Sequence, residues 1–383
     1  MELIFPPDQN YDCVQCAKGC RHTWRIHTDP HTEAAIANSP LALRVIQETG
    51  LDGVFDENPD GGSKLLKRLN GACVFLRPDN LCAVHAELGY DSKPIGCREF
   101  PFQPVRTPDG LYVGISYYCT AAKQNHGRPM AVHGPDIQDL LKLFHPPGAG
   151  FAPMRITAIT QATLEWPVYR RMEELMAEEG SAARAMWTLS ELAAGLPPVA
   201  VPLELLQDAY RQARPELLAR DEVLSIQEQF YVATTLCTLE LQDQKARQSA
   251  TERFMMGEEV ELPHTGVTAN LATLEQLAAR LPDWAGTVLA QYYQALLFRK
   301  FLVQKRPILD NLVALHLMPR LFGLYAAMAA LKRGGSEIER PDVDYALDES
   351  ELYLTHTTSD GVDRLLSAFS QAYVEQIPGA VSA

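Results

Sequence analysis

The chain has 383 residues, 46% of them hydrophobic and 21% charged, which is ordinary globular usage and excludes a chain too polar to fold. Its formal net charge of −14 argues against a nucleic-acid binder, which carries a basic patch or stripe, and suits a basic protein partner drawn to an acidic surface. The length accommodates two domains.

The first ten residues, MELIFPPDQN, have neither a positive region nor an apolar run, so no secretory signal is expected. A cytoplasmic, reducing setting is the expectation, and it disfavours structural disulfides. CVQCAKGC, residues 13–20, then places three thiols within eight residues. Residues 31–50 and 63–69 have helical character, with the turn-rich LDGVFDENPDGG between them. GACVFLRPDNLCAVH reads as a β-hairpin in which ACVFL and LCAVH flank the turn-forming RPDN. KPIGCREFPFQPV holds three prolines and predicts an extended loop. LYVGISYYC, residues 111–119, predicts a strand.

Proline and glycine cluster in HPPGAGFAP, residues 145–153, and set a domain boundary near residue 150. Beyond it the chain reads as helical almost throughout. RMEELMAEEGSAARAMWTLSELAAGL and DEVLSIQEQFYVATTLCTLELQDQ predict helices. So do Leu289, Tyr292, Tyr293, Leu296, Leu297 and Phe301, which follow the spacing of an amphipathic helix. Residues 312–331 are apolar enough for a membrane span, but His316, Pro319 and Arg320 lie in the middle. A buried, kinked core helix is expected, and no membrane association. The predicted fold is mainly α: an irregular, cysteine-rich α+β metal domain with a short hairpin over residues 1–150, then an all-α helical domain over residues 151–383.

Seven of the eight cysteines fall within the first 119 residues: Cys13, Cys16, Cys20, Cys73, Cys82, Cys97 and Cys119. Thiolates are soft ligands that suit zinc and iron–sulfur clusters rather than Mg²⁺ or Ca²⁺. A C-x₂-C pair lets two sulfurs face one ion, and Cys20 is near enough in sequence to join them. Cys73 and Cys82 bracket the expected hairpin, Cys97 sits in the proline-held loop, and Cys119 closes the expected strand. Seven thiols exceed one tetrahedral site, so either four hold a four-iron cluster and three are structural, or there are two centres. His85 forms a C-x₂-H pair with Cys82 and is a further candidate ligand; His22, His27 and His31 are weaker ones. Lys18, Arg21, Lys93 and Arg98 lie near cysteines and offset the negative charge of a thiolate site, with Arg21 and Arg98 the chosen cofactor contacts. Cys237, within FYVATTLCTLEL, reads as core packing.

The ordered segments CVQCAKGCRHTWRI, CVFLRPDNLCAVHAELG, CREFP and SYYC resemble the YkgJ-type cysteine-cluster family, described as zinc- or iron-chelating. Within it the chain is most similar to the long branch of flagellin lysine-N-methylases, a likeness that extends loosely to LAQYYQALLFRKFL and the long apolar segment after it. Two departures stand out. Arg21 follows Cys20 where the family has adjacent cysteines, and Glu99-Phe100-Pro101-Phe102 replaces an aromatic-Pro-Arg. The resemblance implies an iron–sulfur (4Fe-4S) or zinc centre held by the cysteines. It also implies methyl transfer from S-adenosylmethionine to a lysine on a protein such as flagellin. The residues name no catalytic acid or base. They leave a second reading open: a non-enzymatic binding or assembly protein whose metal, structural zinc, only holds the N-terminal domain together.

Overall fold

The computed structural model describes residues 2–22, 24–144, 153–158, 160, 162–195, 199–238, 244–304, 306–356 and 360–381. Residues 145–152 of the expected linker lie outside the described residues. The protein is mainly helical, with 59% helix and 12% strand, and the chain divides into two compact units, Met1–Gly150 and Phe151–Ala383.

The first unit is built on a three-stranded sheet in which Gly110–Ile115 is central. Phe102–Thr107 pairs with it antiparallel and Leu3–Ile4 parallel. The central strand is buried along its whole length. Pro104 lies in the Phe102–Thr107 strand, which has a neighbour on one side only, where a missing N–H removes no ladder bond. Two of the helices between Leu3–Ile4 and the other strands of the sheet open on clear caps. Pro30–Ala37 starts on Asp29, which accepts from Thr32 N at 3.0 Å; Pro40–Thr49 starts on Ser39, which accepts from Ala42 N at 3.2 Å. In both, proline follows the capping residue and its fixed φ suits the first helical turn.

The unit has two apolar clusters. One gathers Ile36, Leu41, Val45, Val54, Leu66, Phe75 and Val84, with Cys73 and Cys82 packed on its edge. The other gathers Leu111, Val113, Ile115, Cys119, Met130 and Ile137, with Tyr11, Val14 and Phe100 packed on it.

Several local expectations are overturned here. Residues 63–69 are not helical: Leu65–Leu66 pairs with Phe55–Asp56, and Arg68–Leu69 pairs with Ala72–Cys73. The turn is Asn70-Gly71, both with positive φ, which fits a two-residue hairpin and outweighs the leucine spacing. The hairpin expected around RPDN is reduced to one antiparallel bridge, Leu76 to Cys82. LCAVH does not form a strand; Ala83–Leu88 is a helix that buries Ala83 and Val84 and has Cys82 at its N-cap. The expected proline-held loop contains the short helix Ile95–Glu99, with Pro94 at its N-cap. Cys119 does not close a strand but caps the helix Thr120–Lys123.

The second unit is organised on the helix Ile308–Lys332, buried on nearly all sides. Arg340–Glu351, Leu271–Ala278, Asp360–Val381 and Ala183–Gly195 pack against it. Its apolar window would be long enough to span a bilayer, but 78% of it is buried inside the protein. The charges within it are met by partners. Arg320 donates to Glu275 at 2.6 Å, and His316 lies 3.6 Å from Glu228. Pro319 is accommodated inside the helix. The unit is not wholly helical. Met154–Arg155 pairs with Thr163–Leu164, and Val260–Leu262 pairs with Val267–Ala269. Arg340–Glu351 forms a helix in the acidic stretch DVDYALDESELYL, opened by a reciprocal capping box of Glu339 and Asp342.

Two ion pairs sit in the interior of this unit. Arg299 Nη1 meets Glu351 Oε1 at 2.7 Å, and Tyr292 donates its hydroxyl to Glu351 Oε2 at 2.7 Å. Lys300 Nζ donates to Glu173, which also accepts from Tyr169 at 2.6 Å. Glu351 is fully buried and Arg299 is 1% exposed, so removing one partner strands a charge away from water. Glu351→Ala should therefore lower the unfolding free energy by about 3–5 kcal/mol. Arg320→Ala, at a partly exposed pair, should cost about 1 kcal/mol or less. Denaturant midpoints of the two variants check the contrast.

Candidate metal centre

All eight cysteines are free thiols. The Cys13–Cys16 segment is bent sharply on itself: Gln15 and Ala17 both have φ 54, a left-handed conformation that costs a non-glycine residue about 1 kcal/mol or more. The bend turns Gln15 N–H onto Cys13 Sγ at 3.4 Å. Its N-terminal flank is held by Tyr11 paired with Arg128 and by Asp12 N–H donating to His126 O at 2.8 Å. Asp12 also takes a two-pronged contact from Arg128, at 3.0 Å from Nε and 2.7 Å from Nη2. Those hydrogen bonds hold the Asp12 carboxyl down at about 2.

The thiols fall into two neighbourhoods. Cys20, Cys73, Cys82 and Cys97 each lie within electrostatic reach of others in this group. The helix Lys18–Arg21 packs on Ala72–Cys73. Arg68, opposite Cys73 in the hairpin, donates to Cys20 O at 3.3 Å. Cys13, Cys16 and Cys119 form the second group, with the Tyr11 hydroxyl near all three. Backbone amides are turned toward sulfur in both groups. Cys73 accepts from Phe75 N–H, and Cys119 from Ala121 and Ala122 N–H at the start of its helix. Such N–H donors stabilise a thiolate.

The segments that carry the sequence motifs also meet. Trp24 packs on Tyr118 with ring centroids 4.9 Å apart and on Phe100 at 5.5 Å. Gly19 lies against both rings; a side-chain carbon there would sit at ordinary contact distance, 3.6 Å from the indole and 3.7 Å from Phe100. The Lys18 ammonium sits 4.1 Å above the Tyr118 ring.

The sulfurs are neighbours rather than a closed cage. Among the described residues, no three Cys, His, Asp or Glu side chains come close enough together to hold a metal ion. The donor set nonetheless fits zinc or an iron–sulfur cluster in kind, being all thiol and amide-supported. Burial pushes the Cys73 and Cys97 thiols up to about 12 and Cys119 up to about 11, and it raises Cys20.

Arg21 donates to Asn80 Oδ1 at 2.7 Å and to Cys16 O at 3.4 Å, and it lies near Cys20. Arg98 is buried and faces Asp29 and Asp91 rather than the thiols. Its Nε has no hydrogen-bond partner among the described residues. The cations beside the four-cysteine group are Lys93, Arg21 and Arg68. Arg68 was missed from sequence; the Asn-Gly turn that places it opposite Cys73 was the signal that would have found it. His85 is exposed on its helix and packs near Tyr90 at 5.6 Å. His27 meets Ser63 at 3.3 Å, and His22 packs on Trp24. Cys237 is fully buried within the helix Glu222–Thr238 of the second unit.

An uncharacterized protein of Methanocaldococcus jannaschii is 28% identical over 116 residues, covering 30% of this chain and 37% of that protein. The chain thus spans well under half the length of the relative it matches. No family model matches the chain, and no solved structure matches it.

The raised thiol values carry a sign. A thiol whose folded value lies above the ordinary 9.0 supports the metal-free fold below that pH and loses the support as pH rises through the folded value. Metal-free protein should therefore lose stability from about pH 9 toward about 12. A bound cation must displace the same protons, so zinc affinity should rise steeply between about pH 6 and 8. Chelator competition across that range, and thermal melts of chelator-treated protein at alkaline pH, check the two halves.

Proposed function

We propose that residues 1–150 form a cysteine-rich α+β metal domain, and that the protein is a cysteine-ligated metal protein holding zinc or an iron–sulfur cluster. What carries this reading is the gathering of seven free thiols, distant in sequence, into two neighbourhoods with amide N–H groups turned onto sulfur. The left-handed residues at Gln15 and Ala17 give the backbone the sharp turn that a C-x₂-C pair makes around an ion. Rotation between staggered χ1 wells relocates a cysteine sulfur without moving the backbone, and metal binding would require such a rearrangement, because the thiols do not form a closed cage. Cys20, Cys73, Cys82, Cys97, Cys13, Cys16 and Cys119 would be the ligands. Lys93, Arg68 and Arg21 would offset their charge. Structural zinc supplies about 10–16 kcal/mol of apparent folding free energy, enough to account for the cysteines without catalysis.

The likeness to flagellin lysine-N-methylases extends the proposal to methyl transfer, in the cytoplasm, from S-adenosylmethionine to a lysine on a protein such as flagellin. That chemistry needs a neutral amine in line with the methyl donor and a site that excludes water. The metal would supply charge and a fixed point for the donor. No residue of this chain is assigned as acid or base. In the non-enzymatic alternative the metal only ties the segments of the domain together.

Anaerobic purification followed by metal analysis and an absorbance spectrum tests the metal reading. Iron with a broad band near about 400 nm marks a cluster, and colourless protein with stoichiometric zinc marks a structural site. Protein free of both would end the proposal. Cys16→Ala should lose metal, and Cys237→Ala should keep it. Calorimetric titration with S-adenosylmethionine separates the two uses: saturable binding by metal-loaded protein supports the methylase, and silence supports the structural role.

A further inference from the structure

The first unit also gathers aromatic side chains from three separate segments. Trp24 and Tyr118 have ring centroids 4.9 Å apart, His22 and Trp24 4.6 Å, and His22 and Tyr118 5.1 Å. Phe100 extends the set at 5.5 Å from Trp24. Tyr118 is buried, while His22, Trp24 and Phe100 are half-buried. One face of this set is already in use: the Lys18 ammonium lies 4.1 Å from the centre of the Tyr118 ring. Lys18 is itself half-buried. The backbone that carries it follows the same rings, since a side-chain carbon on Gly19 would lie 3.6 Å from Trp24 and 3.7 Å from Phe100.

An aromatic face is negative and takes a cation. The cation it takes here is an alkylammonium at the end of a lysine stem. A primary ammonium is compact and strongly hydrated, so moving from water to a ring costs it much of the attraction gained. A methylated ammonium keeps its charge, offers water fewer N–H groups and brings methyls that pack on the rings. The ring set therefore suits a methylated ammonium better than its present occupant. The Lys18 stem is flexible, and rotation about its side-chain bonds carries the head into solvent without moving the backbone.

We propose that Tyr118, Trp24 and His22, with Phe100 against Trp24, form a recognition site for a methylated lysine side chain of a partner protein, and that Lys18 is a resident plug which the guest displaces. A lysyl stem is specified because Lys18 itself seats one on Tyr118. The chain's net charge of −14 favours the approach of a cation-bearing partner. No thiol takes part, so the site stands or falls apart from the metal reading.

Calorimetric titration of the full chain with short glycine-flanked peptides tests this. The peptides differ at one side chain: trimethyllysine, lysine, or the carbon isostere in which a tert-butyl group replaces the trimethylammonium. The trimethyllysine peptide should bind saturably and more tightly than the other two. Choline, which has the same head without the lysyl stem, should bind more weakly. Lys18→Ala should tighten the trimethyllysine peptide about two- to fivefold, the worth of one exposed cation–π contact. A variant that fails to fold cannot give that gain. Lys18→Ala combined with Trp24→Leu should lose the gain while keeping a cooperative melt. Equal binding of the isostere would overturn ammonium recognition, and equal binding of the lysine peptide would overturn the preference for methylation. Choline bound as tightly as the peptide would overturn the lysyl stem. Unchanged or weaker binding by Lys18→Ala would overturn the plug, and a gain that survives Trp24→Leu would overturn the assignment to these rings. No binding by either the wild-type chain or Lys18→Ala would overturn the proposal as a whole.

Discussion

A sulfur taken out of water keeps its proton unless a cation or a hydrogen-bond donor meets its charge. That constraint governs the first unit. Burial raises Cys20, Cys73, Cys97 and Cys119, while Lys93, Arg68 and the amides of Phe75, Ala121 and Ala122 pull the other way. The fold thus gathers thiols and part of what is needed to ionise them. An ion of charge two would tip the balance, because it acts on several sulfurs at once. The strained bend at Cys13–Cys16, the helix Lys18–Arg21 lying on Ala72–Cys73 and the capping positions of Cys82 and Cys119 are the backbone's part in that arrangement.

The second unit solves the opposite problem with different means. Its interior charges are paired directly, Arg299 with Glu351 and Lys300 with Glu173, and two tyrosine hydroxyls complete the carboxylates' hydrogen bonds. Burial still raises Glu173, so its pairing with Lys300 offsets the desolvation only in part. The long apolar helix is placed by the same logic. Its polar members, His316 and Arg320, reach carboxylates on neighbouring helices, which is what a helix inside a protein can offer and a lipid bilayer cannot.

Helical character was legible over residues 31–50, though not the break at Ser39-Pro40 that divides it into two helices, and the apolar spacing matched Asp283–Phe298, beyond which Phe301 falls. The central strand was legible in LYVGISYYC, although it ends at Ile115; the two-residue strands and short turns were not. The Leu65–Leu66 and Arg68–Leu69 segments carry leucines at spacings that fit a helix, and only Asn70-Gly71 betrays the hairpin. Cys82 and Cys119 look like strand residues because their neighbours are β-prone. Each instead caps a helix that buries two small apolar residues near its start, Ala83 and Val84 in one and Ala121 and Ala122 in the other. The candidate ligands were legible from spacing and type. Their division into four and three was not, because it depends on which of two apolar clusters each segment rests on, and a linear pattern does not encode that. Arg98 shows the same limit: adjacency to Cys97 in sequence puts its guanidinium on the far side, toward Asp29 and Asp91.

The parallel pairing of Leu3–Ile4 with Leu111 and Tyr112 reaches further than its two residues suggest. Together with the Tyr11–Arg128 pairing it moors the leading end of the chain at two points before the C-x₂-C bend begins, and the helix Lys18–Arg21 moors it again just after. The bend is therefore a short span between fixed supports. It has little slack to lose, so little entropy would stand against its closing on the proposed ion. The same tautness would make the leading strand a mechanical part of the proposed metal site: pulling it from the sheet would slacken Cys13 and Cys16 while leaving the Asn70-Gly71 hairpin in place.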